Sequence, residues 1–537
     1  MTSRRSLLFS ALLASLGAGP LPVRAENPAD APWPTETYDF VVAGAGAAGL
    51  TAAVMALEAN PDLSVLVLEK EPFIGGTSAI CEGNWSVSET SVQKALGIED
   101  SDEQYFEDLM HAGGGTNDPA LVGALIEEGK AQFEWVLEAG VRPRAVIVNS
   151  GISARRAHTF VPAEVIRLLR RKALERGAVI CCGEPVTALL AAGRDARRSP
   201  GENSVADAEK GVFGVVSRRA GHSQRILARR GVLLATGGFG RNREMVGRYA
   251  PKLLNAPCLT APGSTGDGIR LALPFGAALR DMDNLRAGYA FLPHPESIEA
   301  MTHVFYGGAI AVDKRGLRFA DESRDYTTTA EAAINAPDAM TFLVFDEAIR
   351  RYQMSVRTID RMLFGRLDRG ETPAWCARAD TLEEAARRAG LPAETLLATV
   401  ETYNRDLRET GRDSVFGRSS LDFGMGEPVP IEKPPFYVVP VVPALLGTYC
   451  GVAVTPKAQV LRDDGRVVPG LLAAGEVMGG LYGKTSIGGS HYCAAHAFGR
   501  IAGQSAAAMP ARNFPEPLVP VSGEDGLESA APGASKA

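Results

Sequence analysis

The run Tyr38-Asp39-Phe40-Val41-Val42-Ala43, then Gly44-Ala45-Gly46-Ala47-Ala48-Gly49, an Ala- and Leu-rich segment, and Leu63-Ser64-Val65-Leu66-Val67-Leu68-Glu69-Lys70 decides the fold of this 537-residue chain. It reads as strand, glycine turn, helix and strand, with an acid 20 residues after the third glycine. Gly44 permits the tight turn, Gly46 lets backbone N–H groups approach a pyrophosphate, and Gly49 lets the helix pack closely on the strand. Glu69 is placed to take a ribose hydroxyl. Phosphates then sit at a helix N-terminus, where unpaired N–H groups and the helix dipole favour negative charge. A glycine-rich βα turn without a ligand is the blander reading. Here the flanking strands and the acid fall at the spacing that a dinucleotide site requires.

Outward from this unit the same chemistry recurs. Phe73-Ile74-Gly75-Gly76-Thr77-Ser78, with Cys81-Glu82-Gly83 behind it, is a second close-approach loop whose hydroxyls can bond phosphate or ring atoms. Gly231 to Phe239 is a buried strand entering the turn Thr236-Gly237-Gly238. In Thr265-Gly266-Asp267-Gly268 an acid between glycines is well placed to bond a polyol chain. Gly470 to Glu476 is another strand-to-glycine turn ending in an acid. Gly479-Gly480, Gly488-Gly489-Ser490 and a helix around Ala494–Met509 follow. Residues 119–139 and 163–176 have helical apolar spacing, with Gly177 as a stop. Val179–Cys182, Val186–Leu190 and Val212–Ser217 read as strands, and the polar segment 191–210 as a hairpin excursion. The tail from Pro510, rich in Pro, Ala and Ser, reads as disordered.

Length alone suggests roughly three domains. A hydrophobic content of 45% and a charged content of 22% are those of a soluble globular protein. The net charge of −7 becomes −10 once residues 1–25, with Arg4, Arg5 and Arg24, are removed. No basic face for nucleic acid is expected from this balance. The cysteines at 81, 181, 182, 258, 376, 450 and 493 contain no C-x-x-C, hence no c-type haem attachment and no plain zinc pattern. Arg4-Arg5-Ser6-Leu7-Leu8, a short apolar run and Val23-Arg24-Ala25 form an export signal cut near Ala25, too short to span a bilayer. The paired arginines resemble a twin-arginine signal, which places the mature protein in the periplasm or otherwise outside the cytoplasm. Glu26 to Thr35 is a spacer.

GAGAAG, Glu69-Lys70, GGTS, ATGGF, TGDG and AAGE, in this order over residues 36–509, resemble the FAD-binding fumarate reductase/succinate dehydrogenase flavoprotein family. That family also holds urocanate reductase, tricarballylate dehydrogenase and 3-ketosteroid Δ1-dehydrogenase. The resemblance implies an α/β protein: a Rossmann-like FAD-binding domain split into 36–284 and 447–509, with an inserted α+β capping domain at 285–446 that closes over the flavin. Glu427–Pro443 is then the return linker. The implied FAD contacts are Gly44, Gly46, Ala48, Gly49, Glu69 and Lys70, then Gly75, Gly76, Thr77, Ser78, Gly83 and Val186. Gly237, Gly238, Asp267, Glu476, Gly489 and Ser490 complete them, and no metal is expected. Covalent attachment in the respiratory members needs a His-Thr segment, and the matching loop Gly76 to Cys81 has no histidine. FAD is therefore expected to be non-covalent.

The resemblance also implies hydride transfer between flavin N5 and one substrate carbon, with a proton moving at the neighbouring carbon. The proton-donating arginine of the fumarate-reducing members matches Arg324 in Gly316-Leu317-Arg318-Phe319-Ala320-Asp321-Glu322-Ser323-Arg324-Asp325, one residue earlier than in those enzymes. Its fixed charge also suits a developing enolate. The alternative is an ion pair with Asp321, Glu322 or Asp325. Other signature positions depart. Ser486 stands where the dicarboxylate-binding arginine belongs, and Gly447 replaces the substrate histidine. The Glu-x-x-Arg relay falls near Thr302 and Phe305, and His294-Pro295 is only a displaced match for a second histidine. Losing a bidentate arginine removes the best group for a carboxylate, which argues against a fumarate reductase.

What remains is a tyrosine-rich set, Tyr289, Tyr306, Tyr449 and Tyr482, near positions that contact substrate in the family. Phenols can polarise a ketone and rings can stack on a planar substrate, although simple packing explains any one of them equally well. His491 and His496 lie five apart after the Gly-Gly, a poor spacing for a helical metal pair. The expectation is an exported FAD oxidoreductase that adds or removes hydrogen across a C–C bond next to a carbonyl or carboxyl group. It needs a separate electron donor or acceptor: a cytochrome, a quinone-linked partner or oxygen. A dehydrogenase of ketosteroid-like or other cyclic ketones is the alternative enzyme. It lacks support from Tyr482, which is followed by Gly483-Lys484 and not by the Tyr-Pro-Gly of the ketosteroid members. A non-catalytic flavin-binding electron-transfer protein is the rival of another class.

Overall fold

The computed structural model describes residues 35–149, 151–193, 208–371, 373–421 and 426–523. The export signal at 1–25, the spacer up to residue 34 and most of the 191–210 excursion lie outside the described residues. In β1 (Glu36–Ala43) Phe40, Val41 and Val42 are all fully buried. A strand covered on both faces needs such a continuous apolar run. β1 lies parallel to β2 (Val65–Glu69) on one side and to His222–Leu234 on the other. Val179–Cys182 extends the parallel ribbon beyond β2, and Val467–Ala473 extends it along His222–Leu234. Val186–Ala192 and Val212–Arg219 continue the nine-stranded sheet in antiparallel fashion.

α1 (Ala47–Ala59) is buried from Ala47 to Leu57, as a helix that is apolar all round must be. It packs against α2 (Ser490–Ala508). The contact is close because α2 carries glycines there: a Cβ on Gly499 would meet Ala48 O at 2.5 Å, and one on Gly503 would meet Ala52 O at 2.4 Å. The helices Pro119–Glu138 and Pro162–Glu175 begin with proline at the first turn, where no N–H is needed.

The tail departs from the disorder expected of its composition. Leu518–Val521 pairs antiparallel with Leu189–Ala192, and Arg512 N donates to Arg229 O at 2.8 Å. An open sheet edge supplies backbone partners that composition does not reveal. Residues 524–537 lie outside the described residues.

The chain forms two compact units. The first takes the described residues up to Tyr249, Thr260–Leu285 and those from Thr448 onward; the second takes Ala250–Leu259 and Arg286–Gly447. Ala250–Leu259 joins the second unit through its backbone: Leu259 N donates to Leu445 O (2.9 Å) and Leu445 N to Pro257 O (2.8 Å). The second unit is built on a sheet ordered Leu285–Phe291, Phe436–Thr448, Thr341–Asp346, Ile310–Asp313, with Ala377–Ala379 also on Phe436–Thr448. The stretch read as a return linker thus enters a sheet strand. Pro440 stands opposite Phe342 inside it, and the buried Val438, Val439 and Val441 outweigh the proline's missing donor. A buried ionic cluster of Arg318, Glu322, Asp413 and Arg418 ties the Ile310–Asp313 strand to the following turn. Among the described residues no helix is long and apolar enough to cross a membrane.

Candidate functional site

Within the first unit the scattered glycine motifs close into one ring of contacts. The two glycine loops meet directly, Gly75 N donating to Ala45 O at 2.9 Å. Glu69 Oε2 accepts from Ala45 N (2.8 Å) and Oε1 from Glu71 N (2.9 Å). Lys70 Nζ reaches Thr265 Oγ1 and Asp267 Oδ2, both at 2.6 Å. Thr77 Oγ1 accepts from Ala261 N (3.1 Å) and lies 3.3 Å from Ser264 Oγ. Gly266 N donates to Gly238 O and Gly268 N to Thr236 Oγ1. Glu476 accepts from Thr448 N (2.8 Å) and fills the space beside Gly238, where a Cβ would stand 2.5 Å from its Oε1.

The ring fits a dinucleotide. A Cβ on Gly44 would lie 2.2 Å from Ala235 O, so that glycine serves the fold. Gly46 differs: the nearest atom to an added Cβ is Gly75 O at 3.8 Å, which leaves its face open. Gly46 caps α1 without any side-chain bond, and the buried first turn Ala47-Ala48-Gly49 carries no acid. Buried, uncapped N–H groups at a helix start are what a pyrophosphate satisfies. Burial raises the Glu69 and Glu476 carboxyls, against their backbone N–H bonds. Asp267, expected on a polyol chain, is already held by Lys70, Thr265 and Arg270; burial raises its carboxyl, but Lys70 and these bonds leave it below its ordinary value. The Gly83 carbonyl accepts from Phe160 N (2.9 Å). Gly76 and Ser78 lie on the 3-10 turn Gly76–Ala79, Val186 opens its strand opposite Ser217, and Gly237 lies 3.3 Å, by its missing Cβ, from Ser264 Oγ. At the start of α2, Gly489 O accepts from Ser86 N, while Ser490 Oγ donates to Ile487 O.

Beside that helix start the structure gathers Tyr449, Tyr482 and Ser486 around a residue to which the sequence assigned no role, His491. Its ring stacks on Tyr449 with centroids 3.9 Å apart and lies tilted against Tyr482 at 4.2 Å. Its Nε2 lies 2.7 Å from Ser486 Oγ. Both tyrosines and Ser486 are buried. Burial pushes the His491 imidazole down to about 3 and the Tyr482 phenol well above its ordinary value, so both are neutral at physiological pH. The only sequence hint was the position of His491 just after Gly488-Gly489.

In the second unit Arg324 is exposed and precedes the helix Tyr326–Ile334. The three acids that offered it an ion pair are engaged elsewhere. Asp321 accepts from Ser323, Glu322 holds Arg318 and Arg418, and Asp325 caps the helix through Thr327 and Thr328. Tyr289, expected near the substrate, is fully buried, with its hydroxyl 2.8 Å from Thr341 Oγ1 and its ring against Phe305 and Phe319. Tyr306 is buried too, 4.1 Å from Phe305 by ring centroid and stacked on His303. Thr302, at the missing relay position, donates to the buried Asp360 carboxylate (2.6 Å), whose carboxyl burial raises to about 6.

A family model described as FAD binding domain matches residues 39–491. The chain is 32% identical over 486 residues to a fumarate reductase (cytochrome) of Shewanella frigidimarina, covering 89% of this chain and 79% of that one. It is 29% identical to a 3-oxosteroid 1-dehydrogenase of Mycobacterium tuberculosis, over 84% of this chain and 94% of the relative. Among solved structures, the open conformation of a flavocytochrome c3 fumarate reductase superposes with a TM-score of 0.71 at 29% identity, covering 91% of this chain and 84% of that one.

Proposed function

The chain belongs to the flavoprotein family defined by this FAD binding domain, and from that membership together with the leader at 1–25 we propose that it is an exported enzyme adding or removing hydrogen across a C–C bond adjacent to a carbonyl or carboxyl group. It is an FAD-dependent oxidoreductase of the fumarate reductase and ketosteroid dehydrogenase type. FAD, when bound, supplies the two-electron chemistry. Gly46 and the first turn of α1 hold its pyrophosphate, Glu69 its ribose, and Gly238 with Glu476 fix the loop beside it. Tyr449, Tyr482 and Ser486 bind the substrate, and Arg324 transfers the proton or stabilises the enolate. Tyr289 and Tyr306 are further substrate contacts of this reading.

The observation that carries this reading is the closed ring of six motifs around an uncapped helix start, next to a wall of hydrogen-bonding side chains. That wall has serine where a fumarate-type arginine is expected, which supports a substrate other than fumarate and favours the cyclic-ketone alternative as second reading. Export rests on the signal at 1–25, and the electron partner is a cytochrome, a quinone-linked protein or oxygen.

The test uses the mature protein, anaerobic, with its flavin chemically reduced. Fumarate, urocanate, cinnamate-type acids and cyclic enones including ketosteroids are added while flavin absorbance is followed. Fast reoxidation by one class supports the reading and names the substrate chemistry; bleaching of oxidised flavin by the saturated counterparts supports it in the opposite direction. Silence in both directions makes the protein a non-catalytic flavoprotein. Near-normal turnover by Arg324→Lys and Arg324→Ala with FAD bound removes Arg324 from the mechanism.

A further inference from the structure

We propose that Ser486 and His491 form one uncharged hydrogen-bonding unit that takes a neutral oxygen of the substrate, such as a ketone, ester or amide carbonyl, and selects against a carboxylate, with His491 as the positioning residue for the Ser486 hydroxyl. The inference rests on the enzymatic reading above and narrows its substrate class.

Geometry carries it. The 2.7 Å contact between Ser486 Oγ and His491 Nε2 fixes the hydroxyl, and rings at 3.9 and 4.2 Å clamp the imidazole so that it cannot turn away. A hydroxyl has one donor and two acceptor positions. With Nε2 protonated, Ser486 Oγ accepts from His491 and keeps its own O–H for a carbonyl oxygen; with Nδ1 protonated, Ser486 donates to Nε2 and the donor that remains is the Nδ1–H, and in both cases it carries no formal charge. Among the described residues His491 Nδ1 has no hydrogen-bond partner, and it is not a sealed buried atom. Burial alone holds the imidazole neutral; no charged side chain contributes. A carboxylate placed against this wall surrenders its hydration without meeting a counter-charge, which is costly. A carbonyl oxygen needs only the donor that the pair offers.

The test compares two probes built on the same six-membered ring, 2-cyclohexen-1-one and 1-cyclohexene-1-carboxylate. Their Kd for the oxidised holoprotein is measured by calorimetry, and their kcat/KM by reoxidation of the reduced flavin. We expect the enone to bind at least about tenfold tighter. Ser486→Ala and His491→Phe, the latter keeping a ring between the tyrosines, should each weaken enone binding about tenfold, the size of one lost hydrogen bond. The double variant should be no weaker than either single one, and carboxylate binding should not move. Ser486→Arg should reverse the preference. Equal binding of the two probes by the native protein, or additive losses in the double variant, overturn the inference. So does faster reoxidation by the carboxylate, which nevertheless leaves the enzymatic reading in place. Enone binding in the expected pattern without reoxidation by either probe supports the wall, and the enzymatic reading then falls only if the whole panel above is silent in both directions.

Discussion

Glu322→Gln should destabilise the second unit by about 3–5 kcal/mol, the cost of breaking a buried ion pair by removing one partner. Glu322 is fully buried. It accepts from Arg318 Nε (2.9 Å) and Nη2 (2.6 Å), Arg418 Nη1 (3.4 Å) and Ala311 N (2.8 Å). Asp413 pairs with Arg318 on the other side, so two carboxylates balance two guanidinium groups. Glutamine keeps the shape but leaves one buried positive charge uncompensated, and it turns an amide N–H₂ towards a guanidinium. For a unit of this size each kcal/mol corresponds to about 2–4 °C, so its calorimetric transition should fall by roughly 6–20 °C. The two units are followed as separate transitions, because a two-domain chain is not one two-state system. All the FAD-ring contacts described above lie in the first unit, so the flavin-to-protein ratio should stay at its native value. A shift of less than about 2 °C would refute the reasoning: the cluster would then be solvated enough for the lost charge not to matter.

Gly46→Ala should fold as well as the native chain, because its added Cβ meets nothing closer than 3.8 Å, but should purify without FAD. Gly44→Ala, 2.2 Å from Ala235 O, should yield little folded protein; flavin absorbance and circular dichroism separate the two. Gly503→Ala forces α2 off α1 and should lower the melting temperature of the first unit by the equivalent of about 1–3 kcal/mol, read by thermal scanning of the holoprotein. Burial depresses His158 to about 4 and His491 and His496 to about 3, all in the first unit. The folded state therefore refuses protons that the unfolded state binds below its ordinary value near 6.5. Stability is complete above that pH and falls as the medium is acidified, by up to about 1.4 kcal/mol per pH unit for each histidine. Urea midpoints between pH 7.5 and 5 should show this slope, and His496→Gln should flatten it by one proton.

Local chemistry made the nucleotide half of the protein legible in the sequence. A phosphate-binding turn needs particular glycines at fixed spacing from a strand and an acid, and those constraints are short-range, so Gly44 to Lys70 carried them on its face. The order of the motifs implied the family for the same reason. Other features were decided only by tertiary structure, because they depend on residues far apart in the chain meeting. The Ala250–Leu259 segment joins the second unit through backbone bonds to Leu445 that no pattern announces. The Pro-rich stretch before Thr448 becomes a sheet strand because neighbours on both sides complete it. The tail pairs with an edge that its composition does not reveal. Tyr289 and Tyr449 look alike as letters, yet Thr341 and two phenylalanines enclose the first, while the second stacks on His491. Side-chain type and spacing specify a turn or a helix; burial and ring contacts, which specify what a tyrosine or histidine does, exist only once the chain has closed on itself.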